Sequence, residues 1–350
     1  MLKGDALMAV NTALECLLTN QPLSNDQMRA AMLSLMSGEV SNELISGFLV
    51  ALRLRGESPG QIAAAAAVMR SLMSPVAIKS ENAVDIVGTG GDGANLFNVS
   101  TAASVVVAAA GVTVAKHGNR SVSSSSGSAD VLEAAGVNLN LQGAALARCI
   151  DEVGLGFMFA INHHPSMKYA IPARKALGVR TVFNLLGPLT NPASVRRQVV
   201  GVFDQAWVLP VAQALLELGS EQALVVHSGD GLDEFSLAAS NSVAELRDGE
   251  IREYQLSAGD VGLEALADIS SLCVNGPTES LSLLQQALKG DHESAAQMVA
   301  FNAGAALYVS GAADSIAEGV TIALDVIASG VASEKLKELA EFSQLLGEFS

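Results

Sequence analysis

The sequence predicts an α/β protein, with a small all-helical N-terminal domain and a large domain whose mostly parallel central sheet is flanked by helices. Three observations carry that reading. Residues 84–87 form an apolar strand that breaks into the turn Gly88-Thr89-Gly90-Gly91-Asp92-Gly93; a helical run then starts at Asn98-Val99-Ser100-Thr101, and a second strand spans 112–115. That order is what a parallel βαβ unit requires. Residues 6–73, by contrast, show helical signals and no strand-like alternation. The composition is 50% hydrophobic and only 4% aromatic, with 32 glycines, which favours close helix-to-sheet packing over a sandwich or barrel. A chain of 350 residues has room for one large domain and a smaller one.

The helical signals are specific. Ser24 before Asn25-Asp26-Gln27 caps one helix, Ser41 with Glu43-Leu44 a second, and Ser58-Pro59 opens a third with proline in its first turn. Residues 61–73 are helical by propensity. Near the start, Asp5, Asn11, Thr12 and Glu15 interrupt an apolar stretch that lacks a cleavage site, so it reads as an amphipathic helix and not a signal peptide. The run 99–115 approaches membrane-span length but contains Ser100, Thr101, Ser104 and Gly111, and reads as a buried helix followed by a buried strand.

The second strand delivers Lys116-His117-Gly118-Asn119-Arg120 and a serine run, before Ser128-Ala129-Asp130 opens another helix. Loops leaving the carboxyl ends of parallel strands share one edge of the sheet, so both polar loops face a common crevice. The first matches neither the P-loop nor a dinucleotide fingerprint, and residues 123–126 alone would read as a linker. Two such loops at corresponding points of one βαβ unit instead suit a ligand carrying several phosphates.

Further along, 139–152 is a helix and 156–160 a strand, followed by His163-His164-Pro165 in a loop. A helix over 165–177 places Lys168 and Lys175 one heptad apart, with Arg174 displaced by one residue, so at least one base faces the crevice. Residues 179–186 read as a helix end, 187–192 as a proline-bounded connector, 197–202 and 222–226 as strands, and 206–218 as a helix. The strand 222–226 delivers Asp233 and Glu234, either solvated surface charges or, at a strand's carboxyl end, magnesium ligands. Residues 236–269 are a strand-rich excursion with a turn at Asp248-Gly249, and helices follow from 278.

A net charge of −16 argues against general affinity for nucleic acid or anionic membranes. Phosphate binding must therefore be local, supplied by Lys116, Arg120, Lys168, Arg174, Lys175 and Arg180. Cys16, Cys149 and Cys273 show no metal or redox spacing and read as buried free thiols of a reducing, cytoplasmic setting.

GTGGDG, NVSTA, KHGNRSVSS and GSADVLE, with HHPSMKYAIPARKALGVRTVFNLLGPLTNPA and GLDEFS downstream, resemble the anthranilate phosphoribosyltransferases over nearly the whole chain. The resemblance implies a helical domain at 1–75, with about 165–190 packing onto it, that joins a homodimer. The α/β domain is then 76–164 with 191–350. The activity implied is transfer of the phosphoribosyl group of 5-phosphoribosyl 1-diphosphate to the amine of anthranilate, releasing pyrophosphate, the second step from chorismate to tryptophan.

The sugar diphosphate would be held by Gly88, Gly91, Asp92, Leu96, Asn98, Val99, Ser100, Thr101, Lys116, His117, Gly118, Asn119, Arg120, Ser121, Val122, Ser123, Ser124 and Ser128. Anthranilate would meet Gly88, Asn119, His164 and Arg174, the last on its carboxylate. Mg²⁺ would be held by Ser100, Asp233 and Glu234, while His117, Asn119 and Arg174 act by positioning and no residue is singled out as acid or base.

Leu96, Ser125 and Ile161 depart from residues common in that family (a threonine or serine, a lysine and a proline). The alternatives are a pyrimidine nucleoside phosphorylase-like enzyme and a nucleic-acid-binding, non-catalytic relative; association with anthranilate synthase stays open.

Overall fold

The computed structural model describes residues 3–121 and 125–348. Helices α1 (Lys3–Leu18), α2 (Asn25–Leu35), α3 (Asn42–Arg55) and α4 (Pro59–Leu72) come first. Ser24 and Ser58 each close a reciprocal capping box with the glutamine three residues on, and the Ser41 hydroxyl accepts from the Leu44 amide. The expected caps are the real ones, because each supplies an acceptor to an otherwise orphaned first-turn donor.

The sheet is built from β1 (Val84–Gly88), β2 (Val114–Gly118), β3 (Leu155–Phe159), β4 (Arg197–Gly201), β5 (Gln222–Ser228), β6 (Asn241–Arg247) and β7 (Glu250–Leu256). Their spatial order is β3-β2-β1-β4-β5-β6-β7, with the first five parallel, β6 antiparallel to β5 and β7 antiparallel to β6. The chain winds one way from β1 to β3 and the other way from β4, so the topological switch falls between β1 and β4, where ligands of such sheets bind. The β6–β7 hairpin turns through Asp248 (φ 54) and Gly249 (φ 78), two successive left-handed residues that match the strand twist.

Between the strands lie α5 (Val99–Ala109), α6 (Ser128–Ala134), α7 (Gly143–Val153), α8 (Ala160–His163), α9 (Ile171–Leu177), α10 (Phe183–Leu186) and α11 (Val208–Glu217). After the hairpin come α12 (Pro277–Lys289), α13 (Glu293–Ser310), α14 (Ile316–Ala328) and α15 (Val331–Gly347). Strand side chains alternate between two cores: Val199, Leu224 and Val243 belong to the one that includes α5 and α13, while Val200, Val225 and Ala244 belong to the one that includes α11. The second core continues through α11 into Ala64, Ala65 and Phe48 of the helical segment and takes in Phe183, Leu186 and Leu189. Segment 170–189 thus packs with the N-terminal helices, and one face of the sheet is welded to them.

Several sequence expectations need correction. The second strand starts at Val114, because Gly111 (φ 92) turns the chain first, and it runs on to Gly118 because β3 continues to pair with it. Lys116 and His117 are therefore strand residues. No continuous helix covers 165–177: a 3₁₀ turn, Pro165–Tyr169, gives way to α9, and Pro172 in the first turn of α9 explains the break. The heptad relation between Lys168 and Lys175 is lost with it. Among the cysteines only Cys149 is buried; Cys16 is half-buried and Cys273 exposed. No single helix among the described residues is long and apolar enough to cross a membrane.

Candidate active site

At the switch point Gly88 and Gly201 pair side by side as the last residues of β1 and β4. The loop after β5 folds back over them. A Cβ on Gly201 would lie 1.5 Å from the Asp233 carbonyl oxygen, and one on Gly88 would lie 2.2 Å from Asp233 Oδ2. The two glycines are thus a floor on which Asp233 rests, and no larger residue fits under it. Asp233 Oδ2 accepts the Gly90 amide at 2.6 Å, and Glu234 Oε1 accepts the Ser100 amide at 3.2 Å in the first turn of α5. The other carboxylate oxygen of Glu234 is buried with no partner among the described residues.

These acids have no salt bridge among the described residues to neutralise them. Burial, and then the nearby Asp92, push Asp233 up to about 6; burial followed by Asp233 and Asp92 hold Glu234 well above the usual carboxylate range. Lys116 lies behind them, 2% exposed, its Nζ donating to the Ile86 carbonyl at 2.6 Å and lying 3.4 Å from Ser100 Oγ. Its pKa is lowered by burial and supported by Asp85 and Glu234. Three carboxylates against one buried ammonium leave room for added positive charge.

The loop after β2 is arranged differently. Ser128 stands over Gly118, whose Cβ would come 2.4 Å from its hydroxyl, and the Asn119 carbonyl accepts from that hydroxyl at 3.3 Å. Asp130 accepts the amides of Ser121 and Gly127. Arg120, expected to supply free charge to the ligand, is instead held by Asp130 at 2.9 Å and by both oxygens of Glu133 at 2.8 Å. It braces the loop, because α6 presents two acids one turn apart beside it. Val122, Ser123 and Ser124 lie outside the described residues.

Other expected contacts are largely engaged within the protein. The Val99 side chain is fully buried and Thr101 is 1% exposed, so α5 offers the crevice the Ser100 hydroxyl, while its Val99 and Ser100 amides are taken by the Phe97 carbonyl and Glu234. Asn98 is spoken for by Ser126 and Ser280, and half-buried Leu96 pairs with Cys273 as an isolated bridge. Gly91 has φ 82, and its carbonyl accepts from the Arg180 guanidinium, which stacks 4.3 Å over Phe203. Ser125 is tied to Asn95 and Val274, while Ile161 is exposed on α8.

Across the crevice, the half-buried Arg174 guanidinium lies 5.2 Å over the Phe183 ring and has no acid partner among the described residues. Burial lowers its pKa, as for any partly desolvated cation. His117 and His164 are buried with ring centroids 5.2 Å apart. Burial, reinforced by His164, pushes His117 down to about 3, and burial with His163 pushes His164 down to about 4, so both rings are neutral near pH 7. His117 Nδ1 faces the Gly187 carbonyl at 3.2 Å; a carbonyl only accepts, so that nitrogen carries the proton.

Sequence reasoning missed Gly201, Asn302 and Asp85. Gly201 ends a strand as Gly88 does, which was a usable signal. Asn302 of α13 accepts the Phe235 amide at 3.0 Å and donates to the Phe235 carbonyl at 2.9 Å, directly after the two acids. Asp85, a carboxylate inside an apolar strand, is fully buried and accepts from the His117 amide and Asn191 Nδ2.

Among the described residues no three His, Cys, Asp or Glu side chains converge as a ready-made ion cage. Magnesium needs none, since one or two carboxylates plus substrate phosphates hold it. Asp233, Glu234 and the Ser100 hydroxyl, hard oxygens with one Glu234 oxygen unpartnered, fit that demand.

Comparison with known proteins adds the following. The glycosyl transferase family helical bundle domain matches residues 11–73, and the glycosyl transferase family α/β domain matches 80–333. The chain is 54% identical over 339 residues to an anthranilate phosphoribosyltransferase of Marinomonas sp., covering 96% of this chain and 98% of that one. Against the same enzyme of Cellvibrio japonicus it is 53% identical over 343 residues, covering 97% and 100%. Among solved structures, the Thermus thermophilus anthranilate phosphoribosyltransferase superposes with a TM-score of 0.89 at 45% identity, covering 95% and 99% of the two chains. The Saccharomyces cerevisiae enzyme in complex with PRPP and Mg gives 0.87 at 27% identity, covering 96% and 98%.

Proposed function

The chain belongs to the anthranilate phosphoribosyltransferase family, and from that premise we propose how its crevice carries out the transfer. The enzyme joins the 5-phosphoribosyl group of 5-phosphoribosyl 1-diphosphate to the amine of anthranilate, forming N-(5-phosphoribosyl)anthranilate and pyrophosphate.

The observation that carries the assignment of roles is the seating of Asp233 and Glu234 on the Gly88–Gly201 floor, beside the first turn of α5. Diphosphate binds beside the glycine loop and the first turn of α5, with the Ser100 hydroxyl at hand and Lys116 beneath. Mg²⁺, as in the yeast enzyme crystallised with PRPP and Mg, would be held by Asp233, Glu234 and Ser100 and would offset charge growing on the leaving pyrophosphate. Asn119, Gly118 and Ser128 border the ribose and its 5-phosphate.

Arg174 grips the anthranilate carboxylate through two parallel hydrogen bonds, a match of planar fork to planar anion. The amine then faces C1 of the ribose, its bond to C1 forming as the C1–O bond to pyrophosphate breaks, and the proton shed by the nitrogen passes to the departing pyrophosphate or to water. An arylamine is nucleophilic while neutral, so no strong base is required; His117 and His164, both uncharged, shape the pocket. Orientation and stabilisation of the leaving group account for the rate.

Anthranilate fluorescence should fall on addition of 5-phosphoribosyl 1-diphosphate with Mg²⁺ and hold steady with EDTA. Decay that ignores EDTA would remove the metal from the scheme; no decay with folded, magnesium-loaded protein would remove the substrate assignment. Leu7, Met8 and Leu18 of α1 and Val50 and Leu54 of α3 are exposed apolar residues and fit the face of a homodimer. Sedimentation at the mass of one 35.9 kDa chain would refute it.

A further inference from the structure

Phe235 follows the two acids directly, and its backbone is held by a side chain from a distant helix. Asn302 of α13, 2% exposed, presents its amide as a peptide group would: Oδ1 accepts the Phe235 N–H at 3.0 Å, and Nδ2 donates to the Phe235 carbonyl at 2.9 Å and to the Met298 carbonyl at 3.0 Å. All of the amide's strong contacts are thereby used on one loop residue and its own helix. The neighbouring Phe301 ring packs against the Phe235 ring at 4.9 Å between centroids, so α13 grips this residue by backbone and side chain together.

From below, the loop cannot sink, because Gly88 and Gly201 already touch Asp233. Asp233 and Glu234 reach amides of Gly90 and Ser100 through flexible side chains, and beyond Phe235 the chain is held at Ser236, whose N–H donates to Asn241 Oδ1 at 2.7 Å and whose carbonyl accepts from Asn241 Nδ2 at 3.1 Å. The fixed point nearest the acids is the Phe235 backbone, and no side-chain hydrogen bond other than those of Asn302 reaches it among the described residues.

We infer that Asn302 is a positioning residue for the metal-binding acids: its side chain fixes the backbone at Phe235 so that Asp233 and Glu234 converge before a cation arrives. This rests on the reading of Asp233 and Glu234 as metal ligands, and it extends the site to α13. Groups that orient metal ligands characteristically cost about 10–100-fold in metal affinity when lost.

The test uses Mn²⁺ with pyrophosphate as the probe, free Mn²⁺ being read by electron paramagnetic resonance without turnover. Asn302→Asp keeps the acceptor for the Phe235 amide and loses the donor to its carbonyl. It should weaken Mn²⁺ binding roughly 10-fold or more while leaving KM for anthranilate within about twofold. Unchanged Mn²⁺ affinity, or an equal loss toward anthranilate, would overturn the inference.

Asp233→Asn with Glu234→Gln serves as the reference: if that pair binds Mn²⁺ like the unmodified protein, the metal assignment itself fails, whereas a loss there with none in Asn302→Asp sinks Asn302 alone. Hydrogen exchange on the unmodified protein covers the case in which the variant does not fold. The Phe235 amide should be protected in metal-free protein and gain little on adding Mn²⁺ and pyrophosphate. Protection that appears only with the metal would show the cation, and not Asn302, ordering the loop.

Discussion

The two walls of the crevice are built on opposite plans. On the sheet side the acids are seated on a glycine floor, their loop held by Asn302, and even Arg120 is tied to Asp130 and Glu133. On the helical side Arg174 has an aromatic ring beneath it and no anion beside it among the described residues. The first wall is finished by folding; the second is completed by its ligand. The difference teaches where each kind of binding free energy resides. Like charges on the floor are held together at the expense of fold stability and are relieved by a cation, while the helical wall keeps a desolvated cation in reserve for a carboxylate.

The most direct way to break that comparison is to lift the floor. Gly201→Ala would put a methyl group 1.5 Å from the Asp233 carbonyl oxygen, so the loop must move. A displacement of about 1 Å at such a site costs on the order of 10²-fold. The expected result is a loss of that size in kcat/KM for 5-phosphoribosyl 1-diphosphate, with a raised Mg²⁺ requirement. A variant that folds and keeps normal kinetics would show that the acids do not depend on their seat.

The opposite wall is probed by removing its unpaired cation. Arg174→Ala should raise KM for anthranilate by about 10–100-fold, the range expected for hydrogen bonds to a charged group, with KM for the sugar diphosphate within about twofold. Arg174→Lys keeps the charge but not the fork and should recover only part of the loss. Equal rises for both substrates would mean that Arg174 serves the fold and not the carboxylate.

How much of this was legible in the sequence follows the same division. The floor's motifs could be read because chemistry and backbone coincide there: a glycine run follows β1, and Asp233-Glu234 fall in the loop that leaves β5. The element order and the caps at Ser24, Ser41 and Ser58 were equally local and equally visible. What escaped were long-range facts. Arg120 looks like a free base until α6 brings Glu133 beside it, and Asn302 is 67 residues from the backbone it fixes. On the helical wall, Pro172 breaks the expected helix, which no heptad count reveals.

Asp85 joins the two walls and gives the smallest and most specific test. Its carboxylate accepts from the His117 amide on β2 and from Asn191 within the connector, whose Gly187 carbonyl in turn meets the His117 ring. Burial, opposed in part by Lys116, pushes Asp85 up to about 6 from its usual 3.8. The folded state therefore holds this proton more tightly than the unfolded chain, and the stability it contributes is complete below pH 3.8 and lost as pH rises through 6. Asp85→Asn has no proton to lose. The stability of the unmodified protein relative to the variant should fall between about pH 4.5 and 7.5 by about 1–3 kcal/mol, read from urea unfolding at the two pH values. A difference that stays constant would mean that the carboxylate ionises without penalty, and that Asp85 holds the walls together by hydrogen bonding alone.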